Sequence, residues 1–102
     1  MIHVIATLDL ASGTRAEVLA AFAQVVPLVL AETGCLAYEP TIDAETDLAM
    51  QSKLGPDRLT IVERWSSLEA LHAHAAAPHM QTHRDRVKGC VQGREIRVLV
   101  AA

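Results

Sequence analysis

Four of the five histidines, His72, His74, His79 and His83, fall within one segment, LHAHAAAPHMQTH; the fifth is His3. Histidine titrates near neutral pH and ligates metals, so the cluster offers either proton transfer or metal binding. At about 100° per residue, His72 and His74 project to opposite flanks of the stripe formed by Leu68, Leu71 and Ala75. His79 and His83 stand one helical turn apart and are spaced to share a metal. However, HMQTH lacks the glutamate of a zincin motif, and no third ligand is set by spacing. We therefore expect no metal site. His83 interrupts the stripe Met80, His83, Val87 and should face the sheet. It reads either as a core histidine satisfied by one hydrogen bond or as a polar group lining an apolar pocket. His72 reads as solvent-facing.

Glu63 is the more pointed residue. It lies between Ile61 and Trp65 on one strand face, where a carboxylate is costly unless paired or used. One reading is a salt bridge to an arginine or histidine. The other is a desolvated carboxylate of raised pKa, suited to taking a proton from an aromatic hydroxyl. Trp65 reads as a core anchor or a stacking surface, and Tyr38 as core or as a hydrogen-bond donor at a pocket mouth. Arg84, Arg86, Lys88, Arg94 and Arg97 make a mildly basic C-terminal region. It reads as a solvated face with dimer salt bridges, or more sharply as steering for an anionic substrate. No glycine-rich phosphate loop, GxSxG or nucleotide fingerprint is present, so no nucleotide or flavin site is visible from motif. Cys35 and Cys90 lack CxxC spacing and read as reduced thiols of a cytoplasmic protein.

The elements that must position these groups follow from periodicity. Residues 2–10 alternate as a strand, with Ile2, Val4, Ala6, Leu8 and Leu10 on one face and His3, Ile5, Thr7 and Asp9 on the other. Thr14 and Glu17 predict a capping box for a helix carrying Leu19, Phe22, Val26 and Leu30, kinked at Pro27 and closed by Gly34. A second strand is expected from Cys35 to Asp43. A long segment, AETDLAMQSKLGPD, comes next and suggests a fold-over loop with a short strand. Residues 58–65 form the third strand, with Leu59, Ile61, Glu63 and Trp65 sharing a face. Ser66 and Glu69 predict a second capping box opening a short helix to about Ala76. Pro78 starts another helix, ending near Gly89, and residues 94–100 make the last strand. The order β-α-β-β-α-(α)-β is that of an α+β, ferredoxin-like domain with an antiparallel sheet, spanning residues 1–102. Helices cover one sheet face only, so we expect a homodimer in which a second sheet covers the other.

Composition narrows the function classes. The 102 residues carry a net charge of -3, and 51% are hydrophobic against 21% charged, as in a folded single domain. The acidic balance argues against a nucleic-acid or membrane-surface role resting on bulk charge. Only Phe22, Tyr38 and Trp65 are aromatic, too few for a single-strand stacking platform. No apolar run approaches the ~20 residues needed to span a bilayer. The opening MIHVIATLDL lacks a basic leader and a cleavage site, and reads as mature sequence.

The segments FAQVVPLVLAETGCLAYEPTID (22–43), IVERWSSLEALHAHAAAPHM (61–80) and VKGCV (87–91) resemble the antibiotic biosynthesis monooxygenase family, and within it the bacterial quinol monooxygenases. The resemblance rests on the E-x-W strand ending, the spacing of His74 and His79, and the proline before the second histidine. It implies a dimeric α/β barrel with a pocket between sheet and helices. It further implies oxidation of quinols or related dihydroxyaromatics by O₂ with no metal, haem or flavin. Trp65, His74 and His79 match that pattern best, and Glu63 and Tyr38 also match. In the mechanism this suggests, Glu63 or a histidine (His74 first, then His79 or His83) takes a phenolic proton. Trp65 stacks on or walls the ring, and His3, Thr7 and Tyr38 orient its oxygens. A non-catalytic quinone-binding protein is the alternative. A haem-degrading branch of the fold carries a first-strand asparagine where this chain has Thr7, which disfavours haem cleavage.

Overall fold

The computed structural model describes residues 1–102. β1 (Ile2–Leu10) leads through α1 (Arg15–Leu30) to β2 (Cys35–Thr41), and a long loop leads to β3 (Arg58–Trp65). Two short helices, α2 (Leu68–Ala76) and α3 (Pro78–Val87), precede β4 (Val91–Leu99). The sheet order is β2-β3-β1-β4 with every neighbouring pair antiparallel, the ferredoxin-like arrangement expected.

Register decides which side chains meet. Val4 pairs with Glu63 and with Val98, Ala6 with Ile61 and Ile96, and Leu8 with Leu59 and Arg94. Because paired residues share a face, these side chains look toward the helices. The core forms there, with Val18, Phe22, Val25 and Val29 of α1 against Val4, Leu59, Ile61 and Trp65. The opposite face carries His3, Ile5, Thr7, Thr60, Val62 and Arg64, a more mixed surface than the alternation in β1 suggests. Exposed apolar groups gather instead along β4, where Ile96 and Val98 keep 56% and 50% of their surface open.

Local details depart from expectation for identifiable reasons. Thr14 does not cap α1 by its side chain, because its hydroxyl donates to the Ala11 carbonyl at 2.7 Å. Glu17, its expected partner, instead accepts a hydrogen bond from the Cys90 thiol at 2.6 Å. The cap of α2 is Ser67 rather than Ser66, its hydroxyl accepting from Ala70 N at 3.1 Å. α1 ends at Leu30, four residues before Gly34, and β2 stops at Thr41 rather than Asp43. β4 begins at Val91, three residues earlier than predicted. The 42–57 loop contains no strand. The Asp43 carboxylate accepts from Leu54 N and Gly55 N at 3.1 and 2.9 Å, closing the loop on itself, and those two bonds lower its pKa.

Gly34 sets how closely the α1–β2 turn packs on α2. It sits at φ +82°, its carbonyl accepts from Ser66 N at 2.8 Å, and an added Cβ would lie 2.6 Å from both Ala70 Cβ and Ser66 Oγ. Only glycine combines that φ with so close an approach. Gly13 has φ +77° but open space around it. Gly13→Ala should therefore cost only the left-handed penalty of about 1–2 kcal/mol. Gly34→Ala should cost clearly more, read as a larger drop in urea midpoint. Equal losses would show that the turn does not pack as described.

Candidate functional site

Between the sheet and the three helices lies a largely apolar cavity of about 300 Å³, at the small end for organic-ligand sites. Val4, Ala6, Phe22, Ile61 and Met80 make much of its wall, and Tyr38, Glu63, His74 and His83 bring polar atoms to it. All four polar residues are buried. They arrive from four elements: Tyr38 and Glu63 from paired positions on β2 and β3, His74 from the last turn of α2, and His83 from α3.

Glu63 does not form the salt bridge that one reading of its position anticipates. One carboxylate oxygen accepts a hydrogen bond from the Trp65 indole N–H at 2.9 Å. Burial raises its pKa, an effect that the Trp65 bond and the nearby His74 partly offset. Tyr38, buried against Phe22 and near the Glu63 and Glu32 carboxylates, has its phenol pushed up as well and stays protonated.

His74 has a partner that the spacing of the sequence conceals. Its Nδ1 lies 2.8 Å from Oε2 of Glu32, and the same oxygen is 2.8 Å from Nε2 of His79. An ionised carboxylate only accepts, so each neutral imidazole must place its proton on the nitrogen facing Glu32. His74 therefore holds its hydrogen on Nδ1 and leaves Nε2 as the bare, basic nitrogen. The ring is also clamped, with centroids 4.6 Å from Trp65 and 5.4 Å from Tyr38. Glu32 comes from the α1–β2 turn that Gly34 allows to pack against α2. Neither periodicity nor a motif marks it, since a glutamate after a helix reads as solvated surface.

The predicted residues divide into three groups. His74, Glu63, Tyr38 and His83 meet at the cavity. Trp65 and His79 lie behind it. Trp65 is 0% exposed and does not line the space, so it cannot stack on or wall a guest; it holds Glu63 and His74 instead. His79 is hydrogen-bonded to Glu32 and does not line the cavity that His83 enters. His3 and Thr7 fall on the opposite sheet face, because odd positions of β1 point away from the helices. Within this chain they cannot orient a guest in the cavity. His83 contacts Phe22 at 4.4 Å between ring centroids, and its Nδ1 is buried with no hydrogen-bond partner. Burial, with Arg86 and Arg84 nearby, lowers its pKa and keeps it neutral at pH 7. The Ala21 backbone lies close enough to the ring to offset part of that shift. The thiols of Cys35 and Cys90 are both held protonated, the first by burial and the second by its bond to Glu17, so neither is an activated nucleophile.

Such a site can accept a flat, mostly apolar molecule, take a proton from it, and shield it from water. Its fold and residue pattern are those of a known class: a family model for antibiotic biosynthesis monooxygenase matches residues 1–86, and the chain belongs to that family. It is 40% identical to Probable quinol monooxygenase YgiN of Escherichia coli (strain K12), over 97% of this chain and 96% of that one. The fold recurs in Rv0793 from Mycobacterium tuberculosis, with a TM-score of 0.79, 24% identity, and coverage of 99% of this chain and 94% of that one. It recurs also in a conserved protein from Methanosarcina mazei Go1, with a TM-score of 0.83, 20% identity, and coverage of 99% and 92%. No helix is long and apolar enough to cross a membrane.

The raised pKa of Glu63 makes a stability prediction. Between the ordinary carboxylate pKa and the raised folded value, the native state binds more protons than the unfolded chain. Stability from this group is then complete at low pH and lost as pH rises through that window. Glu63→Gln keeps an acceptor for Trp65 and removes the titration. The difference in urea stability between wild type and Glu63→Gln should shift in favour of the variant as pH rises from 4 to 8. Parallel pH profiles would show that Glu63 is not desolvated.

Proposed function

We propose that the protein is a quinol monooxygenase or oxidase, acting on dihydroxyaromatic compounds with O₂ and needing no metal, haem or flavin. The observation that carries this reading is the Glu32–His74 pair, whose histidine lines an apolar cavity and keeps its Nδ1 on the carboxylate. Relatedness to a protein called a quinol monooxygenase supports the substrate class.

Ground-state O₂ is a triplet and reacts slowly with closed-shell molecules, whereas a deprotonated quinol is a strong one-electron donor. The protein's task is thus to make and hold that anion. A phenol pKa of ~10 lies about three units above neutrality, or about 4 kcal/mol. His74 Nε2 takes the proton, and Glu32 stabilises the imidazolium that forms, as a carboxylate does behind a catalytic histidine. Glu63, Tyr38 and His83 supply hydrogen bonds to the oxygens of the guest. Two charge-assisted bonds of about 1.5–3 kcal/mol each cover the cost. The quinolate then passes an electron to O₂, giving a semiquinone and superoxide within a water-poor cavity. Recombination and loss of one water yields a hydroxylated quinone; transfer of the second electron yields the quinone and hydrogen peroxide. Both outcomes balance on electrons from the substrate alone.

Oxygen uptake with menadiol, corrected for autoxidation, tests this. His74→Ala should lower kcat by about 10²–10⁴. Glu32→Gln should lower kcat by less than His74→Ala does, because the base stays in place but its imidazolium loses the carboxylate that stabilises it. Wild-type turnover by a His74→Ala, Glu63→Gln double variant would refute the assignment. Trp65 quenching by menadione with no oxygen uptake would identify a quinone-binding protein instead.

The reading includes a cytoplasmic homodimer, with a second copy against the sheet face that the helices leave bare. Ile5, Val62 and the exposed Leu99, which pairs with His3, lie on that face and support it. Sedimentation velocity at micromolar concentration should give a species of twice 11.0 kDa, and a monomer would exclude it.

A further inference from the structure

Two arginines belong to the cavity, and the proton-transfer scheme above gives them no part. Arg84 of α3 and Arg94 of β4 both line its wall. Arg84 is half-buried, and its Nη2 donates to the Ala75 carbonyl at 3.2 Å and to Gln81 Oε1 at 3.5 Å, both neutral acceptors. The basic side chains that do form ion pairs are others: Arg58 with Asp9, Arg97 with Glu95, Lys53 with Glu45, and His74 and His79 with Glu32. Two guanidinium groups thus border one apolar space without a carboxylate between them.

Register sets the Arg94 charge apart from Glu63. Arg94 pairs with Leu8 of β1, and Glu63 pairs with Val4. Four residues of strand separate them, about 13 Å along the strand. The cavity is therefore polarised, with a cationic end at Arg94 and a carboxyl end at Glu63. Arg84 lies near enough for its charge to act on Tyr38 and His83, so it belongs to the electrostatics of the cavity rather than to remote surface.

We propose that the preferred guest is an anionic dihydroxyaromatic, a fused-ring quinol bearing a carboxylate that Arg84 and Arg94 hold while its hydroxyl end enters toward His74 and Glu63. This rests on the dihydroxyaromatic reading of the site and adds the acidic substituent. Planar guanidinium groups match a carboxylate in geometry as well as charge. The arrangement also orients the guest, because a neutral ring could enter either way round.

A binding measurement separates this from turnover. The probes are 1-hydroxy-2-naphthoate and 1-naphthol, neither requiring oxidation, followed by calorimetry and by Trp65 fluorescence. The carboxylated ligand should bind at least about tenfold more tightly, with a preference that shrinks as salt rises. Arg84→Gln with Arg94→Gln should abolish the preference, and Lys at both positions should restore part of it. Arg94→Gln alone, at an exposed position, should reduce it even if the double variant fails to fold. Equal affinity for the two ligands in the wild type would overturn the proposal, as would a preference that survives in folded variants. Tight binding of the naphthoate without oxygen consumption by 1,4-dihydroxy-2-naphthoate would uphold the anionic subsite and count against the oxidation chemistry. Binding of neither ligand would remove both readings.

Discussion

A single carboxylate oxygen, Oε2 of Glu32, accepts from two imidazoles at once, and the rest of the site is arranged around that constraint. The Glu32 side chain keeps only 13% of its surface, so it gives up much of its hydration, and the two hydrogen bonds offset that loss. Three local features make the convergence possible. The turn at Gly34 brings Glu32 against α2. Ala77, with φ −65° and ψ 138°, breaks the helical path between α2 and α3. Pro78 then starts α3 without needing a hydrogen-bond partner for its missing N–H. As a result His74, at the end of one helix, and His79, at the start of the next, look toward the same oxygen.

The apolar walls are part of the electrostatics. Valines, Phe22, Ile61 and Met80 exclude water, and each hydrogen bond made inside is stronger for it. The same exclusion raises the pKa of Glu63 and lowers that of His83, drawing an acid and a base toward each other in proton affinity. Trp65 links the two halves of the site. Its N–H holds Glu63 while its ring packs against His74, so a residue that never touches the cavity sets the position of two that do.

Much of the scaffold is legible from side-chain alternation. The limits of β1 and β3 and the inward face of Glu63 come from period-two patterning, and the order of elements comes from that patterning with the turn signals. The burial of His83 agrees with its place in the Met80–Val87 stripe. Features set by long-range partners are not legible. Thr14 and Glu17 are a capping box by spacing, but Ala11 and Cys90 compete for their side chains. Glu32 has no local mark because its importance comes from residues 42 and 47 positions away. Trp65 reads equally as a core anchor or a stacking surface because alternation fixes the face of a residue but not its depth; its full burial makes it the anchor. His3 and Thr7 are drawn to the cavity by the family resemblance, against the alternation of β1, which sends them to the other side.

The central claim is that this cavity receives an aromatic guest with an oxygen at His74. Crystals soaked anaerobically with menadiol test it most directly. The account predicts electron density for the ring between the sheet and α2–α3, with a hydroxyl oxygen within hydrogen-bond distance of His74 Nε2 or Glu63. A ring bound outside the cavity, or a cavity that stays empty at saturating ligand while His74 keeps its contact with Glu32, would contradict it.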